Sequence, residues 1–381
     1  MQMRCTTTVR IAISAESFLP RTNGVANSVA HVARSLRLLG HDCLIIAPDT
    51  FPHRDFEGMP VHRVRSVQIP GVHDVDIAVT STAKMGAQLE AFNPDVVHLA
   101  SPFVLGRQVL AAARANGIPS VAIYQTHVAG FAHLYGLSGV SFLADSIVRA
   151  VHRSAELTLA PSRQCVDYLT GLGVPHIRLW GRGVDLARFS PTRRSRELRD
   201  RWSPDGRPVV GFVGRLAPEK GVHMLAGLAA SNDVRVVIVG DGPMRGDLGR
   251  LMPQALFTDR LLGDDLVAAV ASMDVLVAPG ELETFCQVVQ EGMASGVPVV
   301  APATGGPLDL VEHGETGLLY PPGDRQALED HVRRVVTDEV LAARLRRNGL
   351  EQVSTKSWLA ITHELLGHYS DVTGQALNPA A

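Results

Sequence analysis

The sequence predicts an α/β protein built from two Rossmann-like domains, each a doubly wound parallel sheet covered by helices. Three observations carry that expectation. Short apolar runs of strand length alternate with segments of helical period from one end to the other, as parallel strands joined by helical crossovers require. The alternation breaks once, across residues 181–208, and then restarts. The 381 residues also exceed what one core usually holds, since single cores stop growing at about 250–300 residues. A content of 46% hydrophobic and 19% charged residues supplies enough apolar material for two cores.

In the first half, strands are expected at 9–15, 43–47, 61–64, 95–99, 121–124, 157–160 and 177–180. The helix after the first strand shows Val25, Val29, Val32, Leu36 and Leu39 as one stripe, and Gly40 ends it. The stretch GRGVDLARFSPTRRSRELRDRWSPDGRP is charged, carries three prolines and reads as the interdomain connection with a short helix. Strands are then expected at 209–213, 234–239, 255–258, 275–278, 297–301 and 317–320. This places the domains at 1–190 and 191–356, facing each other across a cleft. Ligands of such sheets bind beyond the carboxyl ends of the strands, so the loops after the strands are where chemistry is sought.

Four loops stand out. In PGELETFCQVVQEGMASGVPVVAP a strand ends at Ala278, Glu283 lies in the following loop, and a helix is expected from about 286 to 295 with Glu291 inside it. Eight residues of helix rise about 12 Å, a separation that would let one carboxylate meet a sugar ring and the other a ribose. The amides of Phe285, Cys286 and Gln287 lie at the helix start, where they suit phosphate oxygens. The same pattern also fits two solvated carboxylates favoured by the helix dipole. In GFVGRLAPEKG, Arg215 and Lys220 follow a strand end and could neutralise a diphosphate, whose charge grows as a glycosidic bond breaks. An exposed basic loop reads the same way. In AESFLPRTNGVANSV, Gly24 follows a turn signal and permits close backbone approach to a ligand, although a plain βα loop looks similar. In VAIYQTHVAGF, His127 follows a strand end, the position of a catalytic or a merely structural histidine.

Two other signals are weak. Gly240-Asp241-Gly242 begins like a dinucleotide fingerprint, but the third glycine position holds Arg245 and Pro243 intervenes, which disfavours nicotinamide binding and an oxidoreductase. Asp74-Val75-Asp76 beside His73 could be a metal pair but has no further ligands in register, and a solvated turn fits better.

A formal charge of −2 argues against a nucleic-acid binder. The charge is uneven: 17 Lys and Arg against 13 Asp and Glu in residues 1–190, and 19 against 25 in the remainder. A basic first half suits an anionic acceptor or membrane surface, or is a chance imbalance on solvated faces. Cys5, Cys43, Cys165 and Cys286 show no metal-ligand or redox spacing, pointing to a reducing compartment without structural zinc. The longest apolar runs fall short of the about 18 residues of a membrane span, and MQMRCTTTVRIAIS lacks the apolar stretch of a signal peptide. A cytoplasmic protein, meeting any lipid acceptor from the surface, is therefore expected.

With these residues in hand, the chain resembles the family-four retaining glycosyltransferases of the GT-B fold over essentially its whole length. The similar stretches are AESFLPRTNGVANSV, PDVVHLASP, GRGVDLARFSP, RWSPDGRPVVGFVGRLAPEKG, VIVGDGP and ETFCQVVQEGMASGVPVVAP. It looks most like the bacterial GDP-mannose-dependent α-mannosyltransferases acting on glycolipid or phosphatidylinositol-type acceptors. The resemblance implies that Glu283 contacts donor-sugar hydroxyls, Glu291 the ribose, and Arg215 and Lys220 the diphosphate. Gly24 matches the glycine of the amino-terminal phosphate loop and His127 the histidine near the reacting sugar. The loop around 258–262, with Leu261, would hold the base through backbone groups. It implies GDP-mannose as donor without a required metal or other cofactor, a lipid-linked or glycolipid acceptor, and peripheral contact at the inner face of the membrane. A last helix, at about 357–372, would cross back onto the first domain. One departure is Asp259-Arg260, where relatives carry a small or glycine-containing turn, so the choice of GDP over UDP stays open. In HRVRSVQIPGVH, the region relatives use at the membrane, Pro70-Gly71 disfavours a long amphipathic helix. A UDP-sugar-dependent transferase, a nucleotide-sugar epimerase and a non-catalytic nucleotide-sugar binder are the alternatives. A phosphorylase needs a cofactor lysine near the end, where only Lys356 stands.

Overall fold

The computed structural model describes residues 8–21, 23–68, 76–126 and 138–375. Cys5, the His73–Asp74–Val75 part of the possible metal pair, residues 69–73 of the basic-apolar stretch, and His127 lie outside the described residues. The chain divides into two compact units: one holds the chain up to Arg182 and again from Trp358 onward, the other Gly183–Ser357.

Among its described residues the first unit has ten strands: β1 (Arg10–Ala15), β2 (Asp42–Pro48), β3 (Asp55–Phe56), β4 (Met59–Val64), β5 (Ser66–Gln68), β6 (Asp76–Ala78), β7 (Val96–Ala100), β8 (Ser120–Ile123), β9 (Leu157–Ala160) and β10 (Ile177–Leu179). Eight of them form one sheet in the order β10-β9-β8-β7-β1-β2-β4-β3, and β5 and β6 form a separate antiparallel pair. The large sheet is parallel except where the short β3 runs against β4. All seven strands expected here are present. β3, β5 and β6 were not expected, because they are two or three residues long and lie in polar stretches without an apolar run to mark them. Asp76 opens β6 and is not part of a loop, contrary to the reading of Asp74-Val75-Asp76 as a turn.

The central strands are buried along nearly their whole length, as helices on both faces demand. Helix Gly24–Leu38 presents Val29, Val32 and Leu36 to that core. Its end is closed by Gly40 at φ +82, with Gly40 N donating to Arg37 O and His41 N to Leu36 O. Helix Trp358–Thr373 completes this core with Trp358, Ile361, Leu365, Leu366 and Tyr369. It is held by polar contacts as well. Trp180 Nε1 donates to Ile361 O at 3.0 Å, His31 stacks on Trp358, and His98 Nδ1 lies 2.7 Å from the Tyr369 hydroxyl. Burial pushes His98 down to about 3, so the ring is neutral.

The second unit has six strands: β11 (Val209–Val213), β12 (Arg235–Val239), β13 (Leu256–Phe257), β14 (Val275–Val277), β15 (Val299–Pro302) and β16 (Leu318–Tyr320). All six were expected. Their order is β13-β12-β11-β14-β15-β16, parallel throughout. The chain winds outward from β11 to β13, then returns to lay β14 against the other side of β11. The strand order therefore reverses between β11 and β14. In the first unit it reverses between β1 and β7. Such switch points are where loops part at the carboxyl edge and leave room for a ligand.

Replacing Tyr369 by Phe removes the hydroxyl that meets the buried His98 Nδ1. A loss of about 1–3 kcal/mol is expected, read as a lower urea midpoint; an unchanged midpoint would show that the contact contributes nothing.

Candidate functional site

The loops after β11 and β14 leave adjacent strands although they lie far apart in sequence. The first carries Arg215 and Lys220, the second Glu283. Lys220 Nζ donates to Glu283 Oε1 at 2.6 Å, with 29% and 20% of the two side chains exposed. Burial would lower the Lys220 pKa, but the adjoining carboxylate outweighs it and holds the ammonium above its ordinary value. Arg215 Nη2 donates to Glu219 Oε1 at 2.6 Å; Glu219 is buried while 47% of the arginine side chain stays in solvent. Each cation thus has a carboxylate that fixes its direction. Glu219 lies inside the APEKG string and carried no signal of its own.

Two pairs of glycines seat these loops. Leu216 N donates to Asp241 O, and Met244 N to Leu216 O, both at 2.9 Å. A Cβ on Gly240 would stand 1.9 Å from Gly214 O. The Gly-Asp-Gly after β12 is therefore a backbone support for the Arg215 loop, which explains why it lacks the third glycine of a dinucleotide fingerprint. Beneath the other loop, Gly306 N donates to Glu283 O at 2.8 Å, and a Cβ on Gly306 would lie 2.2 Å from Phe285 O. The Gly305-Gly306 pair after β15 was the available signal for this support and was missed.

The helix that follows spans Gln287–Ala294 and does not begin at Cys286. Cys286 is its cap, in a left-handed conformation at φ 71 that costs a non-glycine residue roughly 1–2 kcal/mol. Its side chain is packed in the core with Phe285, and burial, then Glu283, pushes the thiol well above its ordinary range. It is a packed thiol. Gln287 Nε2 donates to Gly183 O at 2.9 Å. Only the interval from Gln287 to Glu291 is helical, a rise of about 6 Å. The 12 Å of eight helical residues therefore does not describe the separation of Glu283 from Glu291. Glu291 is partly buried, and burial raises its carboxyl to about 7 against the opposing charge of Arg188. Arg188 also donates from Nη2 to Gly263 O at 3.2 Å, at the end of the 258–262 loop. It stood in the connecting segment and was not singled out from sequence.

In that loop Asp259 has φ 57, the left-handed turn for which a glycine is the usual residue. Asp259 O accepts from Gly240 N at 2.8 Å and its carboxylate from Arg245 Nε at 3.2 Å, which hold the turn without one. Leu261 packs on the core, and Leu262 is exposed.

In the first unit, Gly24 opens the helix after β1. Asn23 Oδ1 caps that helix, accepting from Val25 N at 3.1 Å and Ala26 N at 2.9 Å. Arg182 lies against Gly24. Among the described residues no group of three or more His, Cys, Asp or Glu is placed to hold a metal ion, and no helix is long and apolar enough to cross a membrane.

Residues 22–188 match the family model described as Glycosyltransferase Family 4, and residues 194–352 the one described as Glycosyl transferases group 1. A GDP-mannose-dependent alpha-mannosyltransferase of Mycobacterium tuberculosis is 50% identical, over 98% of this chain and 99% of its own length. One of the same name from Mycolicibacterium smegmatis is 50% identical, over 96% of this chain and 98% of its own. The structure of a sucrose-phosphate synthase from Thermosynechococcus elongatus aligns over 96% of this chain and 99% of its own with a TM-score of 0.78 at 21% identity, a likeness of fold.

The raised carboxyl of Glu291 makes stability depend on pH. Below the unperturbed 4.5 the group is protonated whether the chain is folded or not. Between 4.5 and about 7 the folded state binds the extra proton, so rising pH costs stability, and above 7 the full penalty applies. Glu291→Gln removes the group. Its melting temperature should therefore gain on the parent's between pH 5 and pH 8; parallel pH profiles would refute the shift.

Proposed function

Because the chain belongs to the family-four glycosyltransferases of GT-B fold, we propose that it is a retaining α-mannosyltransferase that moves mannose from GDP-mannose onto a lipid-linked or glycolipid acceptor. The observation that carries the reading is the Lys220–Glu283 pair at the β11/β14 switch point. The names of the 50%-identical relatives support the donor.

Before the donor binds, Lys220 and Glu283 satisfy each other. A diphosphate competes for the ammonium, and the released carboxylate then accepts hydrogen bonds from the sugar hydroxyls. Arg215 brings a second cation, and the amides of Phe285, Cys286 and Gln287 where the loop enters the helix add donors to the phosphate oxygens. Glu291 accepts from the ribose hydroxyls as a carboxylate, and the backbone around Leu261 meets the base. In transfer, the bond from the anomeric carbon to the phosphate oxygen breaks and negative charge grows on the leaving diphosphate. Lys220 and Arg215 are worth most at that moment. The acceptor oxygen attacks the face from which the diphosphate departs, and its proton passes to the departing phosphate, giving GDP and the retained configuration. Gly24 and His127 keep the roles the family resemblance implies, at the phosphates and near the reacting sugar. The exposed Arg63, Arg65 and Val67 support peripheral contact with an anionic membrane at its cytoplasmic face.

Lys220→Ala should lower kcat at saturating GDP-mannose by about 10²–10³-fold, roughly 3–4 kcal/mol of transition-state stabilisation. Near-normal turnover would remove Lys220 from the mechanism. In a thermal-shift panel, GDP and GDP-mannose should stabilise the chain, whereas stabilisation by UDP and not by GDP would replace the mannosyl donor by a UDP-sugar.

A further inference from the structure

Arg182 is only 7% exposed. Arginine is rarely buried unless its guanidinium is hydrogen-bonded, so its partners indicate what it does. Nη1 donates to Gly24 O at 3.2 Å, and Nη2 donates to Gln125 Oε1 at 3.0 Å. The three residues follow the carboxyl ends of three strands: Gly24 comes after β1, Gln125 just after β8 and Arg182 just after β10. The planar fork fixes the direction of both donors at once, which a lysine on the same stem cannot do. Gly24 is also where a side chain would crowd this fork, since a Cβ there would stand 3.0 Å from Nη1. The neighbouring Asn23 is held in turn, its Nδ2 donating to Ser17 Oγ at 2.7 Å.

We propose that Arg182 is a positioning residue for glycosyl transfer, its fork tying the Gly24 turn to Gln125 at the carboxyl end of β8. The proposal rests on the transferase reading, and it assigns the guanidinium to geometry and not to the donor phosphates. Loss of the fork leaves Gly24 and the Gln125 segment to find their places independently. A misplacement of about 1 Å at a reacting centre can cost about 10²-fold in rate.

The test compares the full-length parent with Arg182→Lys, Arg182→Met, Gln125→Leu and the Arg182→Met/Gln125→Leu double variant. Each is assayed with whichever nucleotide sugar the parent consumes, for kcat, KM, nucleotide diphosphate affinity and melting temperature. Arg182→Lys, which keeps the charge and the stem, should lose at least about tenfold in kcat while its nucleotide affinity stays within about twofold. The double variant should be no slower than Arg182→Met, because both changes sever the same tie. Parental kcat in Arg182→Lys, a fall in nucleotide affinity as large as the fall in kcat, or single losses that multiply in the double variant would each overturn the proposal. Lys220→Ala serves as the control for the transferase reading: its impairment alongside an unimpaired Arg182→Lys sinks this inference alone.

Discussion

The ion pair between Lys220 and Glu283 is the contact on which the candidate site depends. It joins residues 63 positions apart, on loops that only the return of β14 to the flank of β11 makes neighbours. A partly buried pair of this kind adds little net stability, because desolvation offsets most of the Coulomb gain. Its effect is on state and direction. The carboxylate holds the Lys220 ammonium above its ordinary pKa despite burial, and the hydrogen bond fixes where each side chain points before any ligand arrives. Arg215 and Glu219 repeat the arrangement one loop residue away, with the carboxylate buried and the guanidinium reaching into solvent.

Such loops need a floor, and in this unit the floor is backbone. Gly240 and Gly306 stand where any side chain would displace the Arg215 loop or the Glu283 loop. The left-handed Cys286 then turns the chain from loop into helix within one residue. Its strain is sustained because the thiol and Phe285 are locked in the core, so packing outweighs the backbone preference. Glu291 follows from the same helix. Its depth raises its carboxyl, and Arg188, tied to the end of the 258–262 loop, moderates the rise.

The first unit is organised around a different constraint, the closing of its core by the end of the chain. Helix Trp358–Thr373 brings Tyr369 to the buried His98 and Trp358 to His31, and its backbone receives the Trp180 indole. Two residues beyond Trp180 stands Arg182, the buried guanidinium that meets Gly24 and Gln125. The end of β10 thus anchors the core at Trp180 and reaches the loops at Arg182.

The sequence by itself determined the fold class and thirteen of the sixteen described strands, because buried parallel strands and amphipathic helices write their periods directly into the order of apolar residues. It also singled out the loops that hold Arg215, Lys220 and Glu283, and the helix with Glu291 that follows the last of them, because loops after parallel strands have few other reasons to carry such charges. It missed β3, β5 and β6, which lie in polar, charged stretches without an apolar run, and it began a helix at Cys286, where a left-handed residue breaks the pattern without changing its polarity. Only the tertiary structure decided who partners whom. That Lys220 meets Glu283, that Arg215 meets the unremarked Glu219, that Gly240 and Gly306 are supports, and that Arg182 grips Gly24 all follow from strand order and close approach. Those are relations between segments distant in the chain, and no local pattern of residues encodes them.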